Sequence, residues 1–172
     1  MQIGIIGTGL IGASIGLRLH SHGEKGISVI GYDVNRDNLN LAQKINAIDS
    51  IAESIDVVVK NAKMIIISAP IYNYGPPATL KAWSDLAARV GETFRFKPDG
   101  RREGLLKNKK AYLVITSGGT KLNSKEDFLT PWLKFILNFF GIEKVEVISA
   151  DQMALDYDKS IKDAEKQIEN IS

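Results

Sequence analysis

Two groups of residues in this 172-residue chain have types and spacing suited to chemistry. The first is Gly7-Thr8-Gly9-Leu10-Ile11-Gly12, a GxGxxG run between an apolar strand and a helix. In that setting Gly7 permits a tight turn, Gly9 lets a pyrophosphate approach the backbone, and Gly12 lets helix and strand pack closely. The amides at the helix start would face the phosphate. Asp33 ends the second strand about twenty residues beyond the last glycine, where a carboxylate accepts hydrogen bonds from ribose hydroxyls. Its charge repels a 2′-phosphate, which favours NAD over NADP, with Arg36 nearby as the opposing influence. The second group is Tyr72-Asn73-Tyr74 after the third strand and Ser117-Gly118-Gly119 after the fourth, the glycines allowing close approach of a ligand to the backbone.

Other residues exclude more than they suggest. There is no cysteine, which removes disulfides, thiolate nucleophiles and cysteine metal sites and suits a reducing cytoplasm. The only histidines, His20 and His22, end the first helix, away from any ligand crevice, and read as solvated surface residues. No catalytic residue and no metal cluster is assigned. The formal charge of +2 gives no global field for nucleic acid or membrane. The opening MQIGIIGTGLIG has no basic region before its apolar stretch, so no secretory signal is expected, and no apolar run is long enough to span a membrane. The seven basic residues between Arg95 and Lys110 (Arg95, Lys97, Arg101, Arg102, Lys107, Lys109, Lys110) face two acidic ones (Asp99, Glu103) and read as a solvated loop.

The elements that must position these residues follow from hydrophobic period. Strands are predicted at Ile3–Ile6, Ile27–Tyr32, Met64–Ala69, Ala111–Ile115 and Val145–Ile148. Helices are predicted from Leu10 to His20 with Ile11, Ile15 and Leu19 on one face, after Asn35, over Ile51–Ala62, after Pro77, over Leu129–Phe140 and after Asp158. Phe94–Lys110 is expected to be irregular, and Gly141 to stop the helix before it. Alternating strands and helices predict one doubly wound three-layer α/β/α domain over residues 1–172, with a five-stranded parallel sheet in the order 2-1-3-4-5. Its ligand crevice would lie between strands one and three, faced by Gly7–Gly12, Ile71–Gly75 and Thr116–Thr120.

Two resemblances accompany this pattern. GIIGTGLIGASIGLRL, VIGYDVNRDNLNLA and AKMIIISAP, within residues 1–70, resemble the cofactor-binding start of prephenate dehydrogenases. That implies a Rossmann segment and NAD binding, although the family's catalytic histidine and helical dimerisation domain have no counterpart here. From residue 71 the chain resembles FMN-dependent NADH-azoreductases of flavodoxin-like fold, through Ile71–Trp83, AlaArgValGlyGluThrPheArgPhe, GlyLeuLeuLysAsnLysLysAlaTyrLeuVal and SerGlyGly. This second resemblance implies that Tyr72, Asn73 and Tyr74 flank an isoalloxazine ring, that Gly118 and Gly119 let the backbone approach it, and that Phe96 lies near a substrate face at a homodimer interface. Where those enzymes hold the FMN phosphate with a serine-rich loop, this chain has GTGLIG.

The two resemblances meet at Ala69–Ile71, where a strand ends. The join reads as an engineered chimera, with a natural recombinant as the other origin: a Rossmann/flavodoxin-like hybrid scaffold with no evolved activity that retains nucleotide binding at Gly7–Gly12. The alternative is an FMN-dependent NADH:quinone or azo reductase carried by the C-terminal part, with NAD and FMN the two candidate cofactors.

Overall fold

The computed structural model describes residues 1–21 and 26–170. In chain order its elements are β1 (Gln2–Ile6), α1 (Leu10–Ser21), β2 (Ser28–Tyr32), α2 (Arg36–Lys44), β3 (Ser50–Ile51), α3 (Ile55–Asn61), β4 (Met64–Pro70), α4 (Ala78–Ala87), β5 (Phe94–Phe96), β6 (Arg102–Gly104), β7 (Lys110–Thr116), α5 (Leu129–Phe140), β8 (Lys144–Ala150) and α6 (Tyr157–Glu169).

The main sheet has six strands in the order β3-β2-β1-β4-β7-β8, and β5 and β6 form a separate antiparallel pair. β1 runs parallel to both β2 and β4, and β2 parallel to β3. The five-stranded 2-1-3-4-5 sheet is therefore corrected in count and in order. Ile51 was expected on a helical stripe, but the Ser54 hydroxyl caps a helix that starts only at Ile55, accepting from Val57 N at 3.4 Å. That leaves Ser50–Ile51 to pair with Ile30–Gly31 at the sheet edge. The supposedly irregular segment holds the β5–β6 hairpin, turned at Pro98-Asp99-Gly100, where Gly100 has φ 79°. The last helix is capped by Asp156 rather than Asp158, its carboxylate accepting from Lys159 N at 3.0 Å.

The chain divides into two compact units, Met1–Ser68 with Asn108–Ala111, and Ala69–Lys107 with Tyr112–Ser172. The first unit buries Ile3, Ile5, Leu39, Ile48, Val58, Ile65 and Ile67. Its helix α1 departs from expectation. The buried positions are Gly12 and Gly16, while Leu10 is 87% and Ile11 36% exposed. A Cβ at Gly16 would lie 2.0 Å from the Ala47 carbonyl oxygen, so backbone packs on backbone where the apolar stripe Ile11, Ile15, Leu19 was expected to pack. In the second unit Leu113, Ile115, Leu129, Leu133, Leu137 and Phe140 are fully buried. α5 stops at Gly141, whose φ of 105° suits glycine, as expected. Among the described residues no helix is long and apolar enough to cross a membrane.

Candidate functional site

In the first unit the strand-to-helix turn after β1 brings Gly7, Thr8 and Asp33 together. Gly7 has φ 90°, and its amide donates to the Tyr32 carbonyl at 2.8 Å. The Thr8 amide donates to Asp33 Oδ2 at 2.8 Å, and Thr8 Oγ1 and Asn38 Nδ2 donate to the same oxygen at 3.4 and 3.3 Å. Asn35 N donates to Asp33 Oδ1 at 2.9 Å. Both carboxylate oxygens are thus engaged within the unit. A Cβ on Gly12 would lie 1.9 Å from the Gly7 carbonyl oxygen, so no side chain fits there without moving the helix. Gly9 differs: a Cβ there would meet only Asn38 Nδ2, at 3.7 Å. Leu10 and Ile11 form the exposed first turn of α1.

His20 stands at the opposite end of α1. Its Nδ1 lies 2.9 Å from the Gly16 carbonyl oxygen and its Nε2 3.2 Å from Asp49 Oδ1, so it is bonded rather than simply solvated. His22 lies outside the described residues.

In the second unit Tyr72–Gly75 closes a tight reverse turn, with Tyr72 N donating to Gly75 O at 3.0 Å and Gly75 N to Tyr72 O at 2.9 Å. Its central residues, Asn73 and Tyr74, have φ 47° and 69°. Two successive left-handed residues mark a type I′ turn, a conformation that suits Asn-Gly and costs a tyrosine about 1 kcal/mol. Phe128 N donates to Tyr74 O at 2.9 Å and helps hold the strained residue in place. The turn presents both tyrosine rings outward, Tyr72 63% and Tyr74 53% exposed.

Ile71 N donates to Thr116 O at 2.8 Å, so this loop begins beside the one that follows β7. There Ser117 is buried: its hydroxyl donates to Thr120 O and accepts from Gln152 N at 3.1 Å. Met153 N donates to Ser117 O at 3.0 Å and Ala154 N to Gly118 O at 2.9 Å, tying the loop to the one after β8. Gly118 and Gly119 stay exposed, and a Cβ on either would meet no heavy atom within 4 Å. Neither has a positive φ. Packing and backbone conformation therefore leave both glycines unexplained, and the space they keep free lies on the solvent side of the loop.

Sequence reasoning missed three supports of these loops. Asp127, buried, accepts from Asn123 N at 3.0 Å and Thr130 N at 2.9 Å and so fixes the start of α5. Asp151 Oδ2 accepts from Leu122 N at 2.5 Å, and Gln152 adopts a left-handed φ of 58°. The aspartate three residues before Thr130, just ahead of an apolar helix, was the available signal for the first. The other two depend on contacts distant in sequence.

Comparison with known proteins places these loops in context. A family profile described as flavodoxin-like fold matches residues 20–171. The chain is 89% identical over 112 residues to an FMN-dependent NADH:quinone oxidoreductase of Pelagibacter ubique (strain HTCC1062), covering 65% of this chain and 58% of that protein. It is 38% identical over 136 residues to a protein of the same name from Vibrio parahaemolyticus serotype O3:K6 (strain RIMD 2210633), covering 77% and 70%. Among solved structures, an FMN-dependent NADH-azoreductase from Bacillus anthracis str. Ames Ancestor in complex with FMN superposes with a TM-score of 0.71 at 20% identity, over 98% of this chain and 95% of that one. That likeness is one of fold. The chain spans 58%, 63% and 60% of the lengths of three of its relatives.

These findings overturn the engineered chimera. The flavodoxin-like match extends from within α1 past Ala69–Ile71, so most of the segment assigned to a prephenate dehydrogenase lies inside it. A bacterial relative 89% identical over 112 residues speaks for a natural protein rather than an engineered scaffold. The Rossmann-hybrid assignment and NAD as resident cofactor are likewise unsupported, NADH being a reactant in the relatives' names. The physical source of the misreading is that Gly7 and Gly12 are required by turn conformation and by helix-to-strand packing, whatever the ligand.

Proposed function

This chain belongs to the flavodoxin-like fold family, and on that premise we propose that it is an FMN-dependent oxidoreductase that uses NADH to reduce a quinone or azo compound. The observation that carries the reading is the open space at Gly118 and Gly119 beside a strained turn that displays Tyr72 and Tyr74. A flat ring system would fill it. The residues fit the group: two glycines without side chains allow backbone approach, two tyrosines supply apolar ring faces, and the Asn73 amide supplies both a donor and an acceptor.

When bound, the flavin supplies the hydride and electron-transfer chemistry, so the protein needs no catalytic acid or nucleophile of its own. The chain's task is positioning. Ser117, knotted to Thr120 and Gln152, holds the Gly118–Gly119 backbone still. The hydrogen bond from Phe128 N to Tyr74 O holds the tyrosine turn in its strained form. In the first unit we propose the Gly9–Gly12 amides as a phosphate-binding segment, because the first amides of a helix have no partner inside it. The Thr8 amide is already taken by Asp33. The homodimer interface implied by the azoreductase resemblance and the exposure of Phe128 (61%) and Phe135 (57%) lead us to propose a homodimer.

The test is NADH consumption by the purified protein with a soluble quinone, with and without added FMN. The expected result is turnover that requires FMN. An FMN-saturated protein that oxidises no NADH with either a quinone or an azo dye would overturn the assignment.

A further inference from the structure

Two helices of the second unit begin at an aspartate, and the two aspartates are used differently. At α6 the exposed Asp156 accepts from Lys159 N at 3.0 Å through one oxygen, Oδ1. At α5 Asp127 is 3% exposed and engages both. Its Oδ1 accepts from Thr130 N at 2.9 Å, in the first turn of the helix, and its Oδ2 from Asn123 N at 3.0 Å, four residues back in the loop after β7. A helix start needs one acceptor, and asparagine or serine supplies it as well as aspartate does. The second oxygen is therefore not explained by capping. It holds Asn123, whose φ of 58° is left-handed. An ionised aspartate offers two acceptor oxygens and no donor, which no other side chain of its length does. Burying that charge is costly unless hydrogen bonds compensate it, and here backbone N–H groups do so from both sides.

The loop held in this way starts at Gly118 and Gly119. Ser117 braces its near end, and Asp151 Oδ2 accepts from Leu122 N at 2.5 Å midway. Asp127 closes its far end: its own N–H donates to Ser124 O at 3.1 Å while its carboxylate reaches Asn123. The next peptide serves the other half of the site. Phe128 N donates to Tyr74 O at 2.9 Å, the bond that holds the left-handed tyrosine turn. Phe128 has a helical backbone, φ −93° and ψ −12°, so the first turn of α5 fixes where that N–H points. One carboxylate thus joins the loop that carries Gly118 and Gly119 to the helix start that carries the hydrogen bond to Tyr74.

We infer that Asp127 is a positioning residue of the flavin site, its two-sided carboxylate setting the separation of the Tyr72–Tyr74 turn from the Gly118–Gly119 loop. It acts through these loops and not on the ring. The inference rests on the flavin reading of the site given above. Asparagine has the same shape but one acceptor oxygen. In either orientation it sets an NH2 group against the N–H of Asn123 or of Thr130 and leaves that donor unpaired.

The test compares Asp127→Asn with Asp156→Asn in the full chain, since both variants keep a capping oxygen. Asp127→Asn should shift the amide NMR signals of Asn123, Tyr74 and Phe128 in the flavin-free protein. It should also weaken FMN about tenfold, the order expected when a buried donor is left unpaired. The visible absorption band of the bound flavin, which reports the ring's surroundings, should change with it. Asp156→Asn should leave the Tyr74 signal, the FMN affinity and the band as in the parent. Asp156→Ala separates position from stability: loss of the cap lowers the urea midpoint, yet FMN affinity, read on folded protein, should not change. Asp127→Ser keeps a good cap but is too short to serve both N–H groups. It should repeat the FMN loss, and it decides the matter if Asp127→Asn does not fold. Parent-like FMN affinity in the Asp127 variants overturns the inference, and so does an Asp156→Ala variant that loses FMN to the same degree. A parent protein that takes up FMN but oxidises no NADH defeats the reductase reading alone. Turnover with FMN affinity indifferent to Asp127 defeats this inference alone, and a parent that takes up no FMN overturns both.

Discussion

At Gly12 an added Cβ would lie 1.9 Å from a backbone oxygen, whereas at Gly118 and Gly119 it would meet nothing within 4 Å. Gly7 needs its φ of 90°, while neither Gly118 nor Gly119 has a positive φ. In the loop after β1, Gly7 and Gly12 are glycines for reasons internal to the protein: a turn, and a helix lying against its strand. The loop after β7 is glycine-rich for no internal reason. The tyrosine turn behaves like the second loop, since Tyr74 accepts a left-handed backbone and still leaves its ring 53% exposed. Strain and empty space without an internal cause point to a partner from outside. Gly7 and Gly12, accounted for by backbone conformation and packing, do not.

Substitutions at the two kinds of glycine should therefore have opposite effects. Gly12→Val should cost about 3 kcal/mol of stability or prevent folding, because α1 cannot move off β1 without disturbing the Gly7 turn; urea unfolding measures it. Gly118→Ala and Gly119→Ala should leave stability within about 0.5 kcal/mol. They should nevertheless weaken FMN on the order of tenfold, about 1.4 kcal/mol, as read by flavin fluorescence. If they destabilise the fold and leave FMN affinity unchanged, the contrast between the loops is lost. Tyr74→Gly should stabilise the protein by about 1 kcal/mol by relieving the left-handed strain, while flavin affinity falls.

The smallest effect concerns the hairpin. The hydrogen bond from the Arg101 side chain holds the Asp99 carboxyl below its ordinary 3.8, and that from Arg95 holds Glu103 below 4.5. Both groups are depressed in the folded state, so their contribution to hairpin stability is present above those ordinary values and is lost as pH falls through the folded ones. Carboxyl NMR titration should show both protonating late, and Arg95→Gln should return Glu103 toward 4.5.

Much of the fold was readable because the apolar runs at β1, β2, β4, β7 and β8 are long enough to show a strand's signature, and Asn35 and Gly141 act as helix punctuation. The elements that were missed are short. β3 has two residues and β5 and β6 three each, too few for any period to emerge, and the alternation in β5–β6 is masked by arginines. Ile51 kept helical spacing with Ile55 by coincidence, and only the Ser54 cap separates them. The buried face of α1 was missed because glycine carries no hydrophobic signal even when it makes the closest contact. At the site, Tyr72–Tyr74 and Gly118–Gly119 were readable as residue types, but the left-handed turn, the Ser117 brace and the supporting Asp127, Asp151 and Gln152 depend on contacts between separate loops.

The most direct measurement is an amide NMR spectrum of the full chain as FMN is added. Saturable shifts at Asn73, Tyr74, Gly118 and Gly119 are the expected result. A spectrum in which these four signals stay fixed while FMN is in excess, or in which the flavin perturbs only residues elsewhere, would contradict the account.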